Sequence, residues 1–484
     1  MSQPTEDTSP GSPRWYLSRL TERLLGRQYR YNWLEKYALG HHPFPNGDKR
    51  FVYALSELQR KCRTNYCELV IHAVTQRMFV TGFQFGPEEQ VDEDAKKIMN
   101  YNYMDVQIAI MINMAATFGD AYMMVSPAIE DDGEPVLTAE NPRMCITDPD
   151  PALPLRERAG FKMWQDDVSQ KVMGVLYLPE AIYTYEAPGI TDQSVDTATL
   201  TSRLTTQHQP GSFVLVDVQP NEAGEVPLKR CNWQPAFGTI GRSEFESVID
   251  IQDRINHTVL DRLVIAKSQA YNQRWVSGAK KGSEFKPGAD MVWATLDPTA
   301  RFGQFEAADL TQVMEAVRDD VGDMAAISQT PATYLMNRMV NVSGDTLTQD
   351  QSALVTKIGV RQIAVGYTLE RCMRLAMKLK GLEDKAKETE VMTLWKDAAI
   401  HTYAELGDLF SKLTSGGCPL DVAMKITGLF TNDQIESAVK QAEEAKLQEQ
   451  QFAEKQLAVA AAKTAGGPSK KPAPSKGANP SGKE

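Results

Sequence analysis

Basic charge is what this sequence most lacks. Its formal net charge is −11. That argues against a protein gripping nucleic acid through a cationic surface, because Lys and Arg neutralising phosphates supply most sequence-independent affinity. A protein that surrounds DNA loosely stays open. Cysteine is sparse: Cys62, Cys67, Cys145, Cys231, Cys372 and Cys418 show no paired short spacing of the zinc type and read as buried reduced thiols of an intracellular protein. A G-x-x-x-x-G-K-[ST] phosphate loop, H-E-x-x-H, C-x-x-C and G-x-S-x-G are all absent, which speaks against a packaging-type ATPase and against the common hydrolase chemistries. Long apolar runs are missing as well. The longest uncharged one, Val106 to Gly119, contains Gln107 and Asn113, and a bilayer span needs about 20 predominantly apolar residues. The start, "MSQPTEDTSPGSPRW", has acids and prolines where a signal peptide carries a basic region and an apolar core. The expectation is a protein made inside a cell and not inserted in a membrane.

What is present supports folded cores, with 42% hydrophobic residues over 484 positions, enough for two to four compact units. From Phe51 to Thr81, Leu55, Leu58, Cys62, Tyr66, Leu69 and Ala73 recur as one helical face, with Gly82 as a stop. Asp92 to Phe118 predicts a second helical stretch, largely buried. Between Ala121 and Val218 the runs "AYMMV", "EPVLT", "GFKMW", "KVMGVLYL", "AIYTYE" and "SFVLVDV", separated by turn clusters, predict an antiparallel sheet; "GITDQSVDTATLTSRLTTQHQP" interrupts them as a polar excursion.

Proline is also absent between Pro235 and Pro287 and again between Pro331 and Pro419, which leaves room for long helices. "GRSEFESVIDIQDRINHTVLDRLVIAKSQAYNQRW" predicts one of roughly thirty residues, about 45 Å long, against a usual dozen. Ser243 and Glu246 form an S-x-x-E capping box. Phe245, Val248, Ile255, Val259, Leu263 and Ala266 make its stripe, while Glu246, Asp250, Asp253, Arg254, His257 and Asp261 make a mostly acidic outer face. A Gly- and Lys-bearing block follows, with β-prone runs near Trp275 and Val292. A helix over 310–326 then carries Leu310, Val313, Val317, Val321 and Met324. The loop "NRMVNVSGD" leads into another long helix, 346–380, with Leu347, Leu354, Ile358, Val365, Leu369, Cys372, Ala376 and Leu379 in stripe. "EVMTLWKD" predicts a strand, and 402–414 and 419–429 two small helices. Thr431 and Gln434 offer a further capping box, and the Pro/Gly/Ser/Lys-rich 466–484 reads as disordered.

No constellation points to catalysis. His41 and His42 precede "PFP" as an exposed loop, and His72 sits in a helix. His257 has Asp253 and Asp261 at i±4, a solvated face or an acid/base pair. Asp131–Asp132 and Asp319–Asp320 are ordinary turn and helix-face acids, and "SGAKKGSEF" has the wrong spacing for a phosphate site. No catalytic, cofactor-binding or metal residue is assigned, no cofactor is expected, and the chain is not read as an enzyme.

The ordered set "RYNWLEKYALGHHPFP", "NYCELVIHAVTQRMFVTGF", the long-helix segment, "ISQTPATYL", "VSGDTLTQDQSALVTKI" and "LWKDAAI" resembles the portal protein family of tailed bacteriophages, over about 29–429. More narrowly, it is similar to the branch found in long-tailed siphophages of Gram-positive hosts. The resemblance implies an α+β, portal-like subunit of a homo-dodecameric ring at one capsid vertex. It implies a disordered or extended N-terminal arm (1–28), a wing of helices plus antiparallel sheet (29–240), a stem helix (241–273), a small β clip (274–308) and a second stem helix (309–335). A tunnel loop (336–345), a long tunnel helix with a return strand to the wing (346–400), crown helices (401–465) and a disordered tail (466–484) complete it. The implied tunnel-loop residues are Asn337, Arg338, Met339, Val340, Asn341, Ser343 and Gly344. Arg274, Lys280, Lys281 and Lys286 would meet terminase or adaptor at the clip, or the DNA at the tunnel mouth, or stay solvated. Ile255, Val259 and Leu263 would pack the stem. Implied partners are further copies of the chain, double-stranded DNA, the terminase large subunit, the head–tail adaptor, and the major capsid and scaffold proteins, with no membrane. The implied place is the virion, after synthesis in the host bacterial cytoplasm. The function would be genome packaging, head–tail joining and ejection. Two alternatives are an elongated oligomeric scaffold or adaptor of the virion, and a nucleic-acid-processing enzyme. The second predicts an acidic metal cluster or phosphate loop that the sequence does not display.

Overall fold

The computed structural model describes residues 7–43, 52–87, 91–130, 133–188, 212–234, 241–269, 274–278, 298–304, 309–336, 344–430 and 432–465. The chain divides into a unit of residues 1–399 and a second of 400–484.

The first unit opens on α1 (Pro13–Ala38), where the sequence predicts an arm up to residue 28. Ser12 caps it, its hydroxyl accepting from Trp15 N–H, and Pro13 stands where a missing N–H costs nothing. Leu17, Leu20 and Leu24 are buried against Ile146, Phe161, Val172 and Leu176 of a sheet, while Tyr31, Leu34 and Tyr37 enter the main core. One helix thus ties two cores together. Its buried face also carries Thr21, Arg27 and Gln28, so its sequence hides the amphipathic pattern. Arg27 lies 3.8 Å from the buried Asp120 carboxylate, and Gln28 donates to the Arg143 carbonyl.

The helix expected over 51–81 is two, α2 (Val52–Lys61) and α3 (Tyr66–Thr75), followed by strand β1 (Val80–Phe85). The break is held from elsewhere. Asn256 Oδ1 accepts from Thr64 N–H at 3.0 Å, Gln252 Oε1 accepts from Tyr66 N–H at 2.9 Å, and Gln252 Nε2 donates to the Thr64 carbonyl at 2.6 Å. Unmatched backbone groups at the break thus find side-chain partners. The second predicted stretch is also two helices, α4 (Glu93–Tyr101) and α5 (Met104–Phe118). Buried Asn102 separates them, donating to the Pro135 carbonyl and accepting from Leu137 N–H.

Strands β2 (Asp120–Ser126), β3 (Val136–Glu140) and β9 (Leu228–Asn232) form an antiparallel sheet with β2 in the centre. Strands β4 (Cys145–Pro149), β5 (Glu157–Asp166), β6 (Lys171–Tyr177), β7 (Ala181–Pro188) and β8 (Val214–Pro220) form a five-stranded antiparallel meander. The described strands of the predicted β region are therefore antiparallel, in two sheets, and the predicted polar excursion lies outside the described residues.

Next come α6 (Ile249–Gln269), a hairpin of β10 (Arg274–Ser277) and β11 (Arg301–Gln304), α7 (Leu310–Ser328), a short turn α8 (Ala332–Leu335) and α9 (Gly344–Leu379). After α10 (Glu383–Ala386), β12 (Val391–Trp395) returns across the whole unit to pair antiparallel with β1, Phe83 opposite Thr393. Five cysteines are buried and free, and Cys418 is half-buried; burial pushes the Cys231 and Cys372 thiols up to about 12.

The second unit holds α11 (Tyr403–Ser415), α12 (Leu420–Thr427) and the 34-residue α13 (Asn432–Ala465). Thr402 and Glu405 make a full capping box on α11. The box expected from Thr431 and Gln434, and the tail 466–484, lie outside the described residues. No described helix is long and apolar enough to cross a membrane.

Candidate functional site

The long helix begins at Ile249, later than its sequence predicts, and runs for 21 described residues, or about 31 Å. Residues ahead of it are pinned by the core instead of continuing it. Ser243 Oγ donates to the Ala116 carbonyl at 3.0 Å, so the serine half of the expected capping box serves another element. The glutamate half does form: Glu246 Oε2 accepts from Ser243 N–H at 3.1 Å. Arg30 of α1 holds the same carboxylate at 2.8 Å and donates to the Gly241 carbonyl.

Two glycines make this crossing possible. A Cβ on Gly241 would stand 1.9 Å from the Gly119 carbonyl oxygen, and one on Gly119, at φ +85°, would meet the Gly241 carbonyl at 2.3 Å. Beside them Glu244 is buried. It accepts from Trp233 Nε1–H at 2.7 Å and from Arg361 Nε–H at 3.0 Å, and it pairs with Lys357 Nζ at 2.8 Å. Lys357 also donates to the Ser328 carbonyl at the end of α7. Burial raises the Glu244 carboxyl, but Lys357 and Arg361 outweigh it and hold the group below its ordinary range. This node joins the start of α6, the end of α7 and the middle of α9. Sequence reasoning missed it, although Lys357 and Arg361 interrupt the apolar face of α9 at i, i+4 spacing.

From this base α6 and α7 run antiparallel. Arg254 bridges them through Asp320 at 2.7 Å and Asp323 at 2.9 Å. Ile255 and Val259 are buried and Leu263 half-buried, all packed within the chain's own core. Burial fades outward. Residues 261–267 of α6 and 310–320 of α7 are half-buried or exposed, and they border an open groove of about 450 Å³ lined by Val264, Ile265, Val313 and Ala316. At its end β10 pairs with β11, Trp275 opposite Gly303. The strand expected near Val292 lies outside the described residues, and β11 is the partner of β10.

The predicted acidic face is only partly free. Asp253 is half-buried and accepts from the Tyr37 hydroxyl at 2.7 Å, with burial pushing its carboxyl up. Asp250, His257 and Asp261 are exposed, the last two 3.9 Å apart. His42, expected in an exposed loop, is fully buried. Asn256 Nδ2 donates to its Nδ1 at 2.9 Å, and its Nε2–H donates to the Tyr37 carbonyl at 3.2 Å. That arrangement needs a neutral ring. Burial lowers the His42 pKa below 6.5, against the opposing pull of the Tyr37 carbonyl and Asp253. The folded state therefore binds fewer protons than the unfolded state just below pH 6.5, so stability falls as pH drops through that window. A series of thermal unfolding scans between about pH 7 and pH 5 will show a falling midpoint, and His42→Gln will flatten this part of the profile.

Of the tunnel-loop residues, Asn337, Arg338, Met339, Val340, Asn341 and Ser343 lie outside the described residues. Gly344 is the first residue of α9, part of the helix rather than of the loop. Lys280, Lys281, Lys286 and Asp131–Asp132 likewise lie outside them. Arg274 begins β10, opposite Gln304. Among the described residues no group of His, Cys, Asp and Glu is placed to hold a metal ion.

A family model described as "Phage portal protein, SPP1 Gp6-like" matches residues 19–455. The chain is 23% identical over 375 residues to the portal protein of Mycobacterium phage D29, covering 73% of this chain and 72% of the relative. It is also 23% identical over 380 residues to that of Mycobacterium phage L5, covering 74% of each. Among solved structures it is similar to a chain from the virion of a native gene transfer agent particle, at 10% identity and TM-score 0.43, covering 80% of this chain and 96% of the other.

Proposed function

This chain belongs to the SPP1 Gp6-like family of phage portal proteins and has a portal function, and from that premise we propose that it is one subunit of a homo-dodecameric ring that conducts double-stranded DNA through one capsid vertex. The carrying observation is the antiparallel α6–α7 pair, buried at its base and uncovered toward a small β hairpin. In this reading residues 241–273 and 309–335 are the stem and 274–308 the clip. The role is structural rather than enzymatic. DNA must slide through such a ring, and a lining that neutralised many phosphates would act as a brake; the net charge of −11 suits a conduit. The stem's exposed Asp250 and Asp261 suit that lining.

Residues 29–240 serve as the wing, 336–345 as the tunnel loop touching DNA, 346–400 as the tunnel helix and its return strand, and 401–465 as the crown. The clip, with Arg274, Lys280, Lys281 and Lys286, meets the terminase large subunit during packaging and the head–tail adaptor afterwards. Major capsid and scaffold proteins surround the ring at its vertex, and synthesis occurs in the host bacterial cytoplasm.

Negative-stain images of the purified protein will show rings with a central hole; compact particles without one would sink the proposal. Shortening 337–343 is expected to leave rings intact while lowering the yield of packaged DNA, and unchanged packaging would remove the loop assignment.

A further inference from the structure

His42 closes a chain of hydrogen bonds whose orientation leaves no place for a second ring proton. On α6, Gln252 and Asn256 stand one turn apart, and both are buried. Gln252 Oε1 accepts from Tyr66 N–H at 2.9 Å, so its Nε2 is the end that donates, to the Thr64 carbonyl at 2.6 Å and to Asn256 Oδ1 at 3.2 Å. Asn256 Oδ1 also accepts from Thr64 N–H at 3.0 Å, which fixes the second amide as well. Asn256 Nδ2 is therefore a donor, and the atom it meets at 2.9 Å is His42 Nδ1. An amide nitrogen has no lone pair to offer, so that ring nitrogen is bare. The other one, Nε2, carries the proton toward the Tyr37 carbonyl in the last turn of α1.

A proton added to His42 Nδ1 would set one N–H against another. Turning the Asn256 amide over would present its oxygen to the ring, yet it would also point the NH2 at Thr64 N–H and at Gln252 Nε2–H. No orientation of the amides serves both ends, and an unmatched buried donor is costly. We propose that His42, Asn256 and Gln252 form a proton-sensitive latch, which fastens the break between α2 and α3 to α6 and opens when His42 is charged, while the rest of the first unit stays folded. Thr64 N–H is the first backbone group to lose its acceptor. Among the described residues, the charged groups acting on the ring are Asp253 of α6 and Arg63 at the break. Tyr37, its ring 5.1 Å from that of His42, donates its hydroxyl to Asp253. Burial and Arg63 favour the neutral ring; the Tyr37 carbonyl, Asp253 and the Asn65 side chain favour the charged one, and burial prevails. Charging in the folded chain therefore waits until the pH is below 6.5, whereas an opened latch takes up its proton at the ordinary value.

Hydrogen exchange of the full-length protein, followed by mass spectrometry and corrected for the intrinsic pH dependence of exchange, reads the latch chain by chain, whether or not the copies form a ring. Between about pH 7 and pH 5, the peptide holding Thr64 and Tyr66 is expected to lose about tenfold in protection, while peptides from β5 to β7 keep theirs. Asn256→Asp distinguishes the latch from a histidine that is only packed. A carboxylate accepts from charged His42 Nδ1–H and from Thr64 N–H together, so this variant should keep the break protected over the whole range. His42→Gln does not titrate and should also give a flat profile. Unchanged protection of the wild-type peptide, an equal loss in every peptide, or a loss in Asn256→Asp as large as in wild type overturns the latch. Where a variant fails to fold, the wild-type comparison of the two sets of peptides decides.

Discussion

Gly241→Ala will lose about 3 kcal/mol or more of folding stability, read as a large drop in the urea or thermal midpoint. The added methyl carbon would stand 1.9 Å from the Gly119 carbonyl oxygen and 2.6 Å from Asn232 Oδ1. The nearer obstacle is held in place. The Gly119 carbonyl accepts from Trp233 N–H, and Gly241 N–H reaches the buried Asp120 carboxylate at 3.3 Å. Asn232 Oδ1 is a side-chain atom, but the nearer Gly119 carbonyl is backbone, so relief requires moving backbone. Gly119→Ala adds the strain of a left-handed backbone, φ +85°. Gly26→Ala is the control: that glycine lies within α1 with open space around it, and alanine there should stabilise by up to about 1 kcal/mol. Equal effects of the two substitutions would refute the crossing.

Removal of the Glu244 carboxylate is the second large effect. Glu244→Ala leaves Lys357, Arg361 and the Trp233 indole N–H facing each other without their acceptor, and breaking a buried ion pair in this way costs about 3–5 kcal/mol. Glu244→Ala combined with Lys357→Met will be less destabilised than the sum of the single changes, because the second substitution removes a stranded charge. The carboxyl is held below its ordinary 4.5 by the two cations. The stability it contributes is therefore present above pH 4.5 and lost as pH falls through the lowered value. Glu244→Gln will make the acid limb of the stability profile shallower; an unchanged limb together with additive single changes would show that the node contributes little. Because the node touches α6, α7 and α9 at once, its loss is expected to loosen the base of the excursion along with the core.

Much of this was legible in one dimension. Strands β2, β3 and β5 to β8 announced themselves by alternating β-prone runs between turn clusters. The stripe of Leu354, Ile358, Val365 and Leu369 announced α9, and the order of segments carried the family. What failed did so for a common reason. Residues 51–81 read as one helix because periodicity sees the helical face and not Gln252 and Asn256, nearly two hundred positions away, which satisfy the break at Thr64–Tyr66. The arm expected at 1–28 is helix from Pro13 because a buried arginine reads as surface until Asp120 is placed beside it. His42 read as a loop residue because its burial depends on Asn256 of α6.

The sequence by itself determined most strands of the β region, the long α9, the proline-free stretches, the absence of catalytic motifs and the family, all carried by local spacing and order. Only the tertiary structure decided where the long helix begins, which of its acids are free, and that Gly119, Gly241 and Glu244 form its base. Those outcomes rest on contacts between residues more than a hundred positions apart, where a backbone crossing at van der Waals distance or a buried charge pair overrides what each segment prefers alone.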